Sequence, residues 1–65
     1  MKVRVNGIEM EVKAGTLMEL LEELDINPKR VVVEVNLEIV KRDKFQNYTI
    51  KEGDSIEIVN FVGGG

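Results

Sequence analysis

Phe61-Val62-Gly63-Gly64-Gly65 ends the chain with three consecutive glycines, and the only reactive group such a tail presents is the carboxylate of Gly65. Glycine loses more backbone freedom on ordering than any other residue and has no side chain to pack, so residues 61–65 are expected to form a mobile tail behind a domain spanning 1–60. An extended run without Cβ atoms is thin. It can pass through a slot too narrow for any other residue and deliver its carboxylate into the active site of another protein. An inert, frayed end is the alternative, and the tail alone does not separate the two.

The remaining residues narrow the chemistry by exclusion. The chain has neither cysteine nor histidine, so it offers no disulfide, no thiolate, no imidazole base, and none of the usual ligands for zinc, copper or iron. At 65 residues it forms one domain with too little interior for a deep substrate cavity. It is therefore expected not to be an enzyme in its own right and to bind no cofactor or metal. A net charge of −3 argues against a nucleic-acid partner. No apolar run is long enough to span a bilayer, and no basic-then-apolar leader opens the sequence, so a cytoplasmic monomer acting on other proteins is expected.

The elements that must present the tail are legible from periodicity. Met1-Lys2-Val3-Arg4-Val5 alternates apolar and basic residues as a half-buried strand does, and Ile8 to Lys13 repeats the pattern. Asn6-Gly7 between them supplies the two positive-φ positions of a type I′ hairpin turn. Lys2 and Arg4 would share a face with Glu9 and Glu11, where opposite charges can pair across the strands. Thr16-Leu17-Met18-Glu19 has the form of a capping box, and Leu17, Leu20, Leu21 and Leu24 make one apolar stripe on the helix that follows. Asp25-Ile26-Asn27-Pro28 is expected to end that helix, since the residue before proline leaves the α region and proline cannot continue the ladder. Glu19, Glu22 and Glu23 read as a solvated face, as does the basic corner Lys41, Arg42 and Lys44.

Val31 to Val35 is a third strand, for which parallel pairing with the hairpin through a crossover is expected. Glu38 to Val40 is a short strand, and the turn at Lys41 to Phe45 buries Phe45. Glu52-Gly53-Asp54 then turns into the last strand, Ser55 to Asn60, expected to lie centrally beside the first. Ile56 and Ile58 would face the helix, leaving Glu57, Val59 and Phe61 on a side for which no second helix is available. One helix across one face of a mixed sheet of four to five strands is the ubiquitin-like β-grasp arrangement, an α+β fold. Val59, Phe61 and Val62, with Val32, would form an apolar interface for a partner where the tail leaves the fold.

The order of these motifs resembles the ThiS family of sulfur carriers in thiamine thiazole biosynthesis. Val5-Asn6-Gly7, Gly15-Thr16-Leu17 with Glu19-Leu20-Leu21, Val33-Glu34-Val35-Asn36 before Ile39-Val40, Gly53-Asp54 with Ile56-Glu57-Ile58, and the ending Phe61-Val62-Gly63-Gly64-Gly65 carry the likeness over the whole chain. Where family members often have glycine after the asparagine and proline before the arginine, this chain has Leu37 and Lys41.

The resemblance implies that Gly65 is the sulfur-carrying residue. A ThiF-like enzyme would adenylate its carboxylate with ATP and magnesium, which belong to that enzyme. Sulfur from a persulfide, charged indirectly by a cysteine desulfurase, would displace AMP to leave a thiocarboxylate, which a ThiG-like thiazole synthase would consume. Gly63 and Gly64 would thread the partner's channel. Two alternatives remain open at this stage. One is the small subunit of molybdopterin synthase, with the same thiocarboxylate chemistry, and the other is a ubiquitin-like interaction module with an inert tail.

Overall fold

The computed structural model describes residues 1–61. Its elements are β1 (Lys2–Val5), β2 (Ile8–Glu11), α1 (Leu17–Glu23), β3 (Val31–Val35), β4 (Glu38–Val40) and β5 (Ser55–Asn60), with 3₁₀ turns at Pro28–Arg30 and Arg42–Lys44. The five strands form one sheet in the order β2-β1-β5-β3-β4. The helix covers one face of this mixed sheet, and the fold is the ubiquitin-like β-grasp.

The hairpin forms because Asn6 at φ 50° and Gly7 at φ 82° take the left-handed conformations of a two-residue turn. Val5 faces Ile8 and Lys2 faces Glu11 across it. Val3, Val5 and Val12 are buried, whereas Ile8, at the turn end, lies beyond the cover of the helix and is 64% exposed. The cross-strand pairing expected of Lys2 and Arg4 takes another form. Their partners by register are Glu11 and Glu9, but the one ion pair among the described residues joins the terminal ammonium of Met1 to Glu11 at 2.7 Å.

The helix begins as its sequence dictates. The Thr16 hydroxyl accepts from the Glu19 amide at 3.2 Å, and the Glu19 carboxylate accepts from the amides of Thr16 and Gly15 at 3.1 and 2.8 Å. Leu17, Leu20 and Leu21 are fully buried against the sheet, in one core with Val33, Val35, Phe45 and Ile56. A second acid ties the helix to the hairpin, since Glu23 accepts from the amides of Lys13 and Ala14 at 3.0 and 2.9 Å.

The helix ends where the sequence suggests, at the Asp25–Pro28 stretch, but proline is not the cause. It stops at Glu23 because Asp25 takes φ 61°, with the Ile26 amide donating to Leu21 O at 2.8 Å and the Asp25 amide to Glu22 O at 3.0 Å. These two bonds are a Schellman closure built on aspartate in place of glycine, and Ile26 folds back onto the core beside it. Pro28 instead opens the next 3₁₀ turn, which Asn27 caps through the Lys29 amide at 2.9 Å.

The pairing expected of β3 is also corrected. β3 runs antiparallel to both of its neighbours, β4 and β5, and the parallel pair of the sheet is β1 with β5. The crossover that the helix provides carries the chain to the far side of a gap, and β5 later fills that gap.

The β3–β4 turn contains the least favourable backbone of the described residues. Asn36 at φ 52° suits a left-handed site, but Leu37 follows at φ 74° with 88% of its surface exposed. A left-handed residue other than glycine costs about 1–2 kcal/mol, and glycine costs about 0.5–1 kcal/mol through its freer unfolded chain. Leu37→Gly should therefore raise stability by roughly 0.5–1 kcal/mol, read as a higher midpoint in urea with an unchanged slope.

The capping box also gives a pH signature. Hydrogen bonds from the Gly15 and Thr16 amides hold the Glu19 carboxyl below its ordinary value. Its folded-state value is depressed, so its contribution is complete above the unfolded value of about 4.3 and is lost as pH falls through the folded value. The gap in melting temperature between wild type and Glu19→Gln should accordingly be widest near neutrality and close below about pH 4.

Candidate functional site

β5 delivers the chain to its glycine ending, and it is the central strand of the sheet. Arg4 faces Ser55 and Val5 faces Ile56 on one side, while Val31 to Val35 run opposite Asn60 to Ile56 on the other. Ile56 and Ile58 are buried under the helix. Strand alternation then turns Glu57, Val59 and Phe61 to the uncovered face.

Val59 lies directly opposite Val32, and both are open to solvent, at 58% and 42% exposure. Phe61, 44% exposed, is held by its amide, which donates to Arg30 O at 3.0 Å. Ile39 on β4, also exposed, lies opposite Glu34 and extends the apolar area across the sheet. A shallow cleft bounded by Asp25, Ile26, Asn27, Arg30, Asn60 and Phe61 opens at the same end of the molecule. Of the sequence-predicted patch residues, Val32 and Val59 thus come together, and Phe61, just past the end of β5, borders the cleft. Val62, Gly63, Gly64 and Gly65 lie outside the described residues.

The electrostatics of this face are mixed, since Lys2 and Arg4 alternate with buried Val3 and Val5 and lie on it beside its carboxylates. Glu34 and Glu57 are direct partners in the β3–β5 ladder, both half-buried. Like charges so placed disfavour the pairing, and among the described residues no salt bridge relieves them. Among the described residues, no cluster of three or more acidic side chains is arranged to hold a metal ion. Among the described residues, no helix is long and apolar enough to cross a membrane.

Sequence reasoning assigned Asn6 and Asn36 to turns and missed a second use. The Oδ1 atom of Asn36 accepts from the Ser55 amide at 3.0 Å, and its Nδ2 donates to Asp54 Oδ1 at 3.0 Å. Asn6 bonds the backbone of Ile58 through both side-chain atoms, at 2.7 and 3.1 Å. The available signal was that both hairpin turns open with asparagine, a residue that tolerates positive φ and carries a peptide-like amide.

The ThiS family model matches residues 3–65, so its match includes the glycine ending. The sulfur carrier protein ThiS of Bacillus subtilis is 37% identical over 65 residues, covering 97% of this chain and 98% of that protein. The crystal structure of thiamine biosynthesis protein ThiS from Geobacter metallireducens superposes with a TM-score of 0.86 at 36% identity, with both chains fully covered. A thiazole synthase of Paramagnetospirillum magneticum is 42% identical over 66 residues, a stretch that takes in all of this chain but only 20% of that protein. The chain thus spans about a fifth of the length of the first curated relatives it matches. A match over nearly the whole sequence and a superposition over the whole fold lead to one conclusion: the chain belongs to the ThiS family.

Proposed function

We propose that this protein is a sulfur carrier of thiamine thiazole biosynthesis, with the carboxylate of Gly65 as the group that bears sulfur. The observation that carries the reading is that the family match runs through residue 65 and so includes the triple-glycine ending. The lack of cysteine and histidine fits a chain that supplies no catalyst and is acted on by other enzymes.

A carboxylate resists nucleophilic attack because its charge and resonance are lost on addition. A ThiF-like partner, holding ATP and magnesium, lets a Gly65 oxygen attack the α-phosphorus and releases pyrophosphate. Persulfide sulfur of a partner cysteine, charged by a cysteine desulfurase, then attacks the acyl-adenylate and expels AMP. A partner thiol cleaves the resulting acyl disulfide, is itself oxidised to a disulfide, and leaves the thiocarboxylate on Gly65. That anion is strongly nucleophilic and passes its sulfur to the intermediate held by thiazole synthase. The relative that carries a similar segment inside a thiazole synthase supports this partnership, because joining donor and consumer in one chain raises their effective concentration.

Intact-protein mass spectrometry tests the chemistry. With the activating enzyme, ATP and a sulfur source, the protein should gain the mass of one sulfur-for-oxygen exchange, located on Gly65. Gly64→Val should reduce the gain severely, since a β-branched side chain thickens and stiffens the segment to be threaded. Removing Gly64 and Gly65 should abolish it. If the native-ended protein gains no sulfur under conditions that charge an established carrier, the proposal fails and an interaction module remains.

The docking role of Val59 and Phe61 has its own test. Phe61→Asp should weaken binding to the activating enzyme at least tenfold in calorimetry, a loss of about 1.4 kcal/mol or more. Its effect on stability should stay near 0.5 kcal/mol, as for an exposed position. An unchanged dissociation constant would remove the patch from the interface, and a collapsed fold would assign Phe61 to the core.

A further inference from the structure

Of the five asparagines in the chain, Asn6 alone is followed by glycine. That pair carries a reaction of its own. The main-chain nitrogen of the residue after an asparagine can attack the side-chain amide carbon, and glycine, without a Cβ, leaves that nitrogen unhindered. At Gly7 the space around a would-be Cβ is open, with no atom within 4 Å, and both residues of the turn are exposed. Asn27, Asn36, Asn47 and Asn60 are followed by proline, leucine, tyrosine and phenylalanine, which remove or crowd the nucleophile.

The fold keeps Asn6 out of reach of this attack in two ways. Its Oδ1 accepts from the Ile58 amide at 2.7 Å and its Nδ2 donates to the Ile58 carbonyl at 3.1 Å, so the carboxamide is clamped against β5. Its backbone amide donates to Ile56 O at 2.9 Å, and the left-handed turn, at φ 50° and 82°, fixes the main chain beside it. Ring closure needs the Gly7 nitrogen to eclipse Cβ of Asn6 about the Cα–C bond, whereas a type I′ turn sets the two nearly opposite. Both the clamp and the turn must open before the ring can form.

We propose that Asn6-Gly7 is a latent deamidation site, shielded by the clamp on Ile58 and exposed when the hairpin parts from β5. In the open state the Gly7 nitrogen, having given its proton to hydroxide, bonds to Asn6 Cγ. The Cγ–Nδ2 bond breaks, and ammonia leaves with a proton taken from water. Water then opens the resulting succinimide at either carbonyl, to an aspartyl or an isoaspartyl linkage. The net exchange is one water for one ammonia, with no oxidation. Either product weakens reclosure. Aspartate sets an oxygen where Nδ2 donated to the Ile58 carbonyl, and isoaspartate adds a main-chain carbon to a two-residue turn. A transient parting of β1 from β5 thus becomes a lasting one. None of this depends on sulfur transfer.

The test holds the full chain at mildly alkaline pH, folded and in unfolding urea, and follows by mass spectrometry the gain from replacing an amide NH2 by OH, located by fragmentation. In the folded protein the product should build at Asn6 about tenfold or more slowly than in urea, because the clamp must first open. In urea too dilute to unfold the chain, the rate at Asn6 should rise in step with amide exchange at Ile58, whose amide donates to Asn6 Oδ1. Asn6→Asp, which is the aspartyl product, should lower the urea midpoint and speed exchange at Ile58. Asn47→Asp, an equal change of charge at an exposed position, should do neither. A folded rate equal to the rate in urea would overturn the shielding, and no product at Asn6 in urea would overturn the site. An Asn6→Asp protein as stable as wild type would overturn the lasting parting of the strands.

Discussion

The burial of Ile56 and Ile58 beneath the helix, on a strand paired at both edges, is the constraint on which the rest of the molecule depends. β5 is last in sequence and central in space. The hairpin and the β3–β4 pair are each local, but they join into one sheet only through β5. The parallel contact of Arg4 with Ser55 spans most of the chain, so the sheet closes only after a long loop has been ordered. The residues that precede the glycine ending therefore belong to the most constrained strand of the fold.

That arrangement leaves polar backbone groups to be satisfied wherever a neighbouring element stops before β5 does. Side chains supply the missing partners. Asn36 bonds Ser55 at the start of β5, and Asn6 bonds Ile58 farther along it. Glu23 does the same for the segment entering the helix, and Asp25 closes the helix end through its backbone. None of these polar residues belongs to the buried core, which is wholly apolar. The core supplies the driving force, and the rim decides which chain segments end where.

Much of this was legible in the sequence because its signals were local. The Asn6-Gly7 turn, the Thr16 and Glu19 capping box, the leucine stripe, and the inward alternation of Ile56 and Ile58 are each fixed by spacing within a few residues, and all appear in the structure. The failures share one cause, that the deciding partner is distant in sequence or is backbone. Nothing near Val31 reveals that its strand partner lies at Asn60 rather than in the hairpin. The helix stop was placed at Asp25–Pro28 with proline as its cause, whereas Asp25 at positive φ, backed by backbone bonds to Glu22 and Leu21, closes the helix. The exposed pair of Val32 and Val59 was readable from alternation once β5 was taken as central. The clamp of Asn6 on Ile58 joins residues 52 positions apart and was not.

The ThiS fold separates what must be rigid from what must be reached. A domain this small has little stability to spare, and every polar group it buried for a catalytic site would need a partner. Among the described residues, its interior contains no buried polar or charged side chain. Apolar side chains are instead left on the uncovered face of the sheet, together with the facing glutamates Glu34 and Glu57, at a cost of at most about 1 kcal/mol for the like-charged pair. Lys2 and Arg4 share that face, so charges of both signs border its exposed apolar side chains. What the core does for the end of the described chain is to hold β5 in place, paired at both edges beneath the helix.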